Sequence, residues 1–249
     1  MKKVYLGIVA CFVAALGMAG PAAASLVGSG ERDELLQPVR QPKEQLEPLS
    51  TDELEILDAI AQLREELARR PDDPGLRGQR AWFYYQGRDY DSAIADLWFV
   101  LREDPNLWAA RTLLAQVYLE KSDVLCLKDP NSPKAWPLNE LAIDELERVL
   151  AHTPGESTAT ELLAQAYNDR AYFLYVRRQD LPLALTLIDQ AMALQANESF
   201  YAGTKAEVLQ AMGRSKEALP YIWRALKDYP NEPELLHDLE AIQSSLSGS

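Results

Sequence analysis

Three series of small or helix-ending residues run through the chain with the same spacings. Proline, or alanine in its place, falls at Pro71, Pro105, Pro154, Ala196 and Pro230. Alanine falls at Ala59, Ala93, Ala142, Ala184 and Ala218, and again at Ala81, Ala115, Ala164 and Ala206. The intervals are 34, 49, 42 and 34 residues, so the odd ones are the 34-residue period lengthened by 15 and by 8. A period of this length signals stacked copies of one supersecondary unit. Apolar residues follow the helical period, as in Leu54, Leu57, Ile60, Ala61, Leu63 and Leu67. Strict two-residue alternation is lacking and β-branched residues are sparse. The unit is therefore a pair of antiparallel helices, and the fold class is all-α. A lone hairpin would leave an apolar face bare, so neighbours must stack to bury it.

The residues at these positions resemble the tetratricopeptide repeat, whose motif runs W-x2-L-G-x2-Y, then A-x3-F-x2-A, then P. One unit reads Arg111-x2-Leu114-Ala115-x2-Tyr118, then Ala142-x3-Leu146-x2-Val149, then Pro154. The next reads Thr160-x2-Leu163-Ala164-x2-Tyr167, then Ala184-x3-Ile188-x2-Ala191. A further unit reads Ala202-x2-Lys205-Ala206-x2-Leu209, then Ala218-x3-Ile222-x2-Ala225, then Pro230. The first keeps Ala81-x2-Tyr84, then Ala93-x3-Leu97-x2-Val100, then Pro105. The opening Trp is missing from every unit, and Ala196 replaces one closing proline. The resemblance implies a right-handed superhelical solenoid of about four full repeats with flanking half-repeats. Small residues would let the two helices of a hairpin approach closely, and larger ones such as Tyr118, Tyr167, Leu146 and Ile188 would fill the space between units. The closing helix, from Glu232 to about Ser245, would cap the stack.

The resemblance also implies where a ligand would lie. In this family the first helices of successive units line a groove that holds a polypeptide. Carried onto this chain, the lining comprises Trp82, Tyr85 and Gln86; Thr112, Gln116 and Glu120; Glu161, Gln165 and Asn168; and Phe200, Glu207 and Gln210. Some family members clamp a peptide's terminal carboxylate with groove lysines and arginines. Here those positions are aromatic, amide or acidic, so an acidic tail is not expected. Amides suit an extended backbone, aromatics suit apolar side chains, and carboxylates favour a basic or neutral ligand.

Both insertions fall between the first and second helix of a hairpin. The eight extra residues are expected to lengthen both helices by about one turn each. The fifteen contain Asp129-Pro130-Asn131-Ser132-Pro133 and Trp136-Pro137, which call for a loop. Trp136 either stands out from the segment at 121–138 as a contact for a partner or packs back on its own hairpin.

The chain divides into three parts. Residues 1–24 have the pattern of a bacterial secretory leader: Lys2 and Lys3, an apolar run, then small residues ending in Ala22-Ala23-Ala24. The run is short for a membrane span. Residues 25–50, with Pro38, Pro42 and Pro48 and mixed charges, read as a flexible linker. Residues 51–249 form the repeat domain. Cleavage of the leader takes the formal net charge from −13 to −15, so a nucleic-acid partner is not expected. Cys11 follows Ile8-Val9-Ala10, a faint resemblance to a lipidation site, but with only a stub of apolar sequence before it. Cys126 would then stand alone, without an internal disulfide.

No catalytic constellation stands out. His152 and His237 lie on different units, and His152 suits the dipole at a helix end. Neither a phosphate-cradling glycine loop nor a nucleophile elbow is present. The expectation is a non-enzymatic protein without metal or cofactor, exported and most naturally periplasmic, that acts as a protein-binding adaptor or assembly scaffold. An outer-membrane lipoprotein assisting pilus or secretion-complex assembly is a second reading. A subunit of an envelope enzyme complex is a third. Self-association into a homo-oligomer fits the repeat architecture too.

Overall fold

The computed structural model describes residues 50–129 and 132–247. The leader, Cys11 and nearly all of the linker lie outside these residues, as do Pro130 and Asn131 in the larger insertion. The described residues form ten helices: α1 (Thr51–Arg69), α2 (Pro74–Gln86), α3 (Tyr90–Glu103), α4 (Trp108–Lys128), α5 (Ala135–His152), α6 (Ser157–Val176), α7 (Leu181–Leu194), α8 (Ser199–Ala211), α9 (Ser215–Asp228) and α10 (Pro233–Ser247). Four hairpins, α2/α3, α4/α5, α6/α7 and α8/α9, stack between the single helices α1 and α10. Among the described residues no helix is long and apolar enough to cross a membrane.

Local chemistry sets the helix ends. Asp73, Asp89, Glu156, Asp180 and Glu198 each accept a backbone N–H of the following first turn with their side-chain carboxylate. Pro74 opens α2, where a missing N–H costs nothing. Three hairpin turns share one hydrogen-bond pattern. Arg88 N donates to Tyr85 O and Asp89 N to Tyr84 O; Arg178 N to Tyr175 O and Gln179 N to Leu174 O; Gly213 N to Gln210 O and Arg214 N to Leu209 O. The residue at the heart of each turn is left-handed, with φ of 59° at Arg88, 53° at Arg178 and 74° at Gly213. Only Gly213 adopts that region without a Cβ penalty. A Cβ there would meet nothing within 4 Å, so Gly213→Ala should cost about 1 kcal/mol from backbone conformation alone. Chemical denaturation checks this.

The alanine series are the contact surfaces of the hairpins. Ala81, Ala93, Ala115, Ala142, Ala164, Ala184, Ala206 and Ala218 are all at 0% exposure. Ala59 is only partly buried, because among the described residues α1 has no first-helix partner of its own. Leu146, Ile188 and Ile222 are fully buried and fill the spaces between helices. Asp96, at 3% exposure, joins α3 to α2: Arg80 donates to it twice, at 2.7 and 2.8 Å, and Arg77 once at 3.2 Å. The stack closes on α10 through Leu239 and Ile242, whereas Leu236 stays exposed.

The insertions are distributed differently from expectation. α6 has 20 residues against 13 in α2 and α8, while α7 keeps the 14 of α3 and α9. The shorter insertion therefore lengthens α6 alone. Asp180 caps α7 and Pro182 sits in its first turn, so α7 cannot grow backwards. In the longer insertion α4 gains eight residues over α2, and α5 gains four over α3. Pro137 lies inside the first turn of α5 rather than in a loop, a position where its missing N–H would have had no helical partner. Trp136 is half-buried and lies under the guanidinium of Arg170 at 3.9 Å, so it packs on the next hairpin's lengthened helix.

Candidate binding face

The first helices α2, α4, α6, α8 and α10 lie side by side, and their side chains form two clusters. The first joins α2 to α4. Trp82 is 46% exposed and leans on Tyr85, with ring centroids 5.6 Å apart. The Tyr85 hydroxyl donates to Glu120 and accepts from Gln116 Nε2 at 2.7 Å. Tyr90, at the start of α3, donates its hydroxyl to the other oxygen of Glu120 at 3.3 Å. Gln116 and Glu120 are thus held in fixed orientations by two tyrosines beside an exposed indole. Gln86 is exposed at the end of the same helix. Thr112 is turned back on its own helix, its hydroxyl donating to the Trp108 carbonyl at 3.2 Å.

The polar face continues along α6 and into the lengthened turns of α4. Glu161 is exposed and Gln165 half-buried, but Asn168 is 3% exposed. One residue is 100° of helix rotation, and it is Asp169 rather than Asn168 that shares its register with Glu120. Asn168 Nδ2 donates to Asp169 Oδ1 at 3.3 Å, while Asn168 Oδ1 and Asp169 Oδ2 are buried acceptors with no hydrogen-bond donor among the described residues. Asp123, one turn beyond Glu120, faces the same region. Burial comes first for both carboxyls; the charge of Asp123 then helps raise Asp169, to about 8, and the charge of Glu120 helps raise Asp123, to about 6. Cys126, on the next turn of α4, is pushed up to about 11 by burial and then by these aspartates. Its thiol is therefore protonated at neutral pH and a poor nucleophile.

The second cluster lies where α6 outruns its neighbours. Tyr172, Tyr175 and Val176 from α6, Arg178 from the turn, Glu207 from α8, and Glu234, His237 and Asp238 from α10 line a cleft of about 310 Å³. Gln210 is half-buried on α8, and Phe200, 52% exposed, stands at that helix's opposite end. The sequence-derived lining thus supplies Glu207 to this cleft but none of its tyrosines. Tyr172 and Tyr175 continue the register of Gln165 and Asn168 by whole turns. Following that register through the added residues would have found them. His152 stacks on Trp108 with ring centroids 4.2 Å apart. Exposed tryptophans occur on second helices too: Trp98 at 59%, its indole N–H donating to the Tyr118 hydroxyl at 2.7 Å, and Trp223 at 53%. Exposed aromatics alone therefore do not single out one layer.

No family model matches the chain, and no curated protein matches it. Solved structures do. The crystal structure of MamA is 15% identical with a TM-score of 0.50, over 74% of this chain and 96% of that one. YrrB, a TPR protein with an unusual peptide-binding site, is 14% identical with a TM-score of 0.52, over 74% of this chain and 83% of its own. At such identities the likeness is one of fold, and it agrees with the ten-helix order and the buried alanine series. The described body therefore has the fold of the tetratricopeptide-repeat solenoids.

Proposed function

We propose that the protein is a non-catalytic adaptor or assembly scaffold of the cell envelope that holds a partner polypeptide along its first-helix face. The observation that carries this reading is the cluster on α2 and α4. An exposed indole stands beside an amide and a carboxylate held in place by Tyr85 and Tyr90. A rigid aromatic next to oriented polar groups is what an extended chain needs for side-chain and backbone contact. The face is acidic, so a neutral or basic segment suits it. A binding role rather than turnover is supported by the protonated Cys126 thiol, by the stacking of His152 on Trp108, and by the placement of His237 on a different repeat. YrrB's peptide-binding site lends the reading a precedent within the fold.

The test is capture from envelope extract by the wild-type protein and by the Trp82→Ala/Gln116→Ala variant. At matched thermal stability, the variant should lose the captured partner about tenfold or more, the scale of a central aromatic contact. An unchanged captured set would sink the proposal. The envelope location rests on the leader pattern of residues 1–24. Mass analysis of the mature N-terminus checks it: cleavage before Ser25 supports a periplasmic protein, and a lipid on Cys11 would instead place the protein at a membrane.

A further inference from the structure

The cleft at the end of α6 owes its existence to the shorter insertion. Without the added turns, α6 would stop near the length of α8, and Tyr172, Tyr175 and Val176 would have no counterpart. The added turns set two tyrosine rings 6.0 Å apart and tilted by 53° against Glu207 on α8 and Glu234 and Asp238 on α10. Tyr172 is 43% exposed, so its ring is open to a ligand. Against three carboxylates the lining offers one permanent cation, Arg178, whose guanidinium already lies 5.8 Å from the Tyr175 ring centroid. The local potential is negative. Both tyrosine hydroxyls are raised, by burial first and then by Glu207 and the α10 carboxylates, so the rings stay neutral. Asp238 is also raised, by burial first, against the opposing influence of His237.

Neutral aromatic faces ringed by carboxylates attract a planar, weakly hydrated cation. The space, about 310 Å³, is at the lower end of small-ligand pockets, which run from roughly 300 to 1,000 Å³, and suits one long side chain. A lysine ammonium would gain the charge but not the stacking, so guanidinium is the better match.

We infer that this cleft seats an arginine side chain of the polypeptide held on the first-helix face. The inference rests on the binding role proposed above and names the chemistry of one partner residue. It predicts that the partner carries an arginine several repeats away from the residue that meets Trp82.

The experiment uses the purified protein with ring-labelled tyrosine, observed by NMR, and three probes: Nα-acetyl-arginine amide, its lysine analogue, and its neutral isostere Nα-acetyl-citrulline amide. Arginine amide should shift the Tyr172 and Tyr175 ring signals saturably. Citrulline amide should bind about tenfold more weakly or not at all, and lysine amide should fall between them. The Glu207→Gln/Asp238→Asn variant should lose about tenfold in arginine-amide affinity, whereas Glu65→Gln, on an exposed part of α1 outside both the groove and the cleft, should change nothing. Tyr172→Phe, which keeps the ring, should bind within about twofold of wild type. Equal responses to arginine and citrulline amides, or arginine binding indifferent to the double substitution, would overturn the inference. The fragment assay reads the cleft alone. A cleft that discriminates arginine while the Trp82/Gln116 variant still captures its partner would discredit the groove reading and leave the cleft standing.

Discussion

Ile188→Ala should destabilise the protein by about 3–4 kcal/mol and lower its melting temperature by roughly 10 °C. Ile188 is at 0% exposure on α7. It packs with Ala164, Leu174, Ala184 and Ala191 of its own hairpin and with Tyr201 and Val208 of the next, so it joins two repeats. Alanine there removes three carbons and leaves a cavity that helices already in contact through alanines cannot close. The damage should stay local, because in a stack each repeat contacts only its neighbours. Hydrogen exchange should accelerate across α6, α7 and α8 and remain slow in α2 and α3. Leu183→Ala on the same helix, where the leucine is 37% exposed, should cost under about 1 kcal/mol. Comparable losses from the two substitutions would contradict the packing described here.

Asp169→Asn should stabilise the protein, and more so at higher pH: little near pH 4.5 and by about 2 kcal/mol near pH 8. In the unfolded chain this carboxyl ionises at about 3.9. In the folded protein burial, and then the charge of Asp123, hold it protonated up to about 8. Between those values the folded state binds the extra proton. The stability tied to the protonated form is therefore complete below about pH 4 and lost as pH rises towards 8. Asparagine stays neutral and removes that slope. It also supplies N–H donors beside Asn168 Oδ1, a buried acceptor that has none among the described residues. The groups around Asp169 are Asp123 and Cys126 on α4, Gln165 and Asn168 on α6, and Tyr201 on α8. All are neutral or acidic, so no cation among them reverses the direction. Denaturation curves at several pH values check the result, and parallel curves for wild type and variant would refute it.

These two sites show how far the sequence could be read. Ile188 is legible because packing between repeats recurs: the alanine series and their large companions can be compared across four units, and close contact of helices permits few residue types. Asp169 stands where Gln86 and Glu120 stand in the earlier units, an amide and a carboxylate hydrogen-bonded to tyrosine, so comparison across units does not mark a carboxyl held protonated. Tyr172 and Tyr175 belong to added turns that occur once, with no second copy to mark their role. The placement of the extra residues followed from local chemistry rather than from the period. The Asp180 cap and Pro182 fix the start of α7 and so force growth into α6. Trp136 shows a further limit, since its partner Arg170 lies 34 residues away on a helix whose length the period alone did not set. Among the lining residues, the register carried from the family reached Trp82, Tyr85, Gln116 and Glu120 as one connected cluster. It reached Asn168, which stands in the register of Tyr85, and left out its neighbour Asp169, which stands in the register of Glu120.

The proposed function places a bound polypeptide across the first helices and not on the opposite layer. Site-specific photocrosslinking addresses it directly, with one benzoyl-phenylalanine per variant placed at Trp82 or Phe200 on first helices, or at Trp98 or Trp223 on second helices. All four positions are between 46% and 59% exposed, so accessibility does not bias the comparison. One partner should crosslink from Trp82 and Phe200, and the Trp98 and Trp223 positions should give no adduct with it. Equal yields from the two layers, or adducts with that partner from Trp98 and Trp223 alone, would contradict that placement.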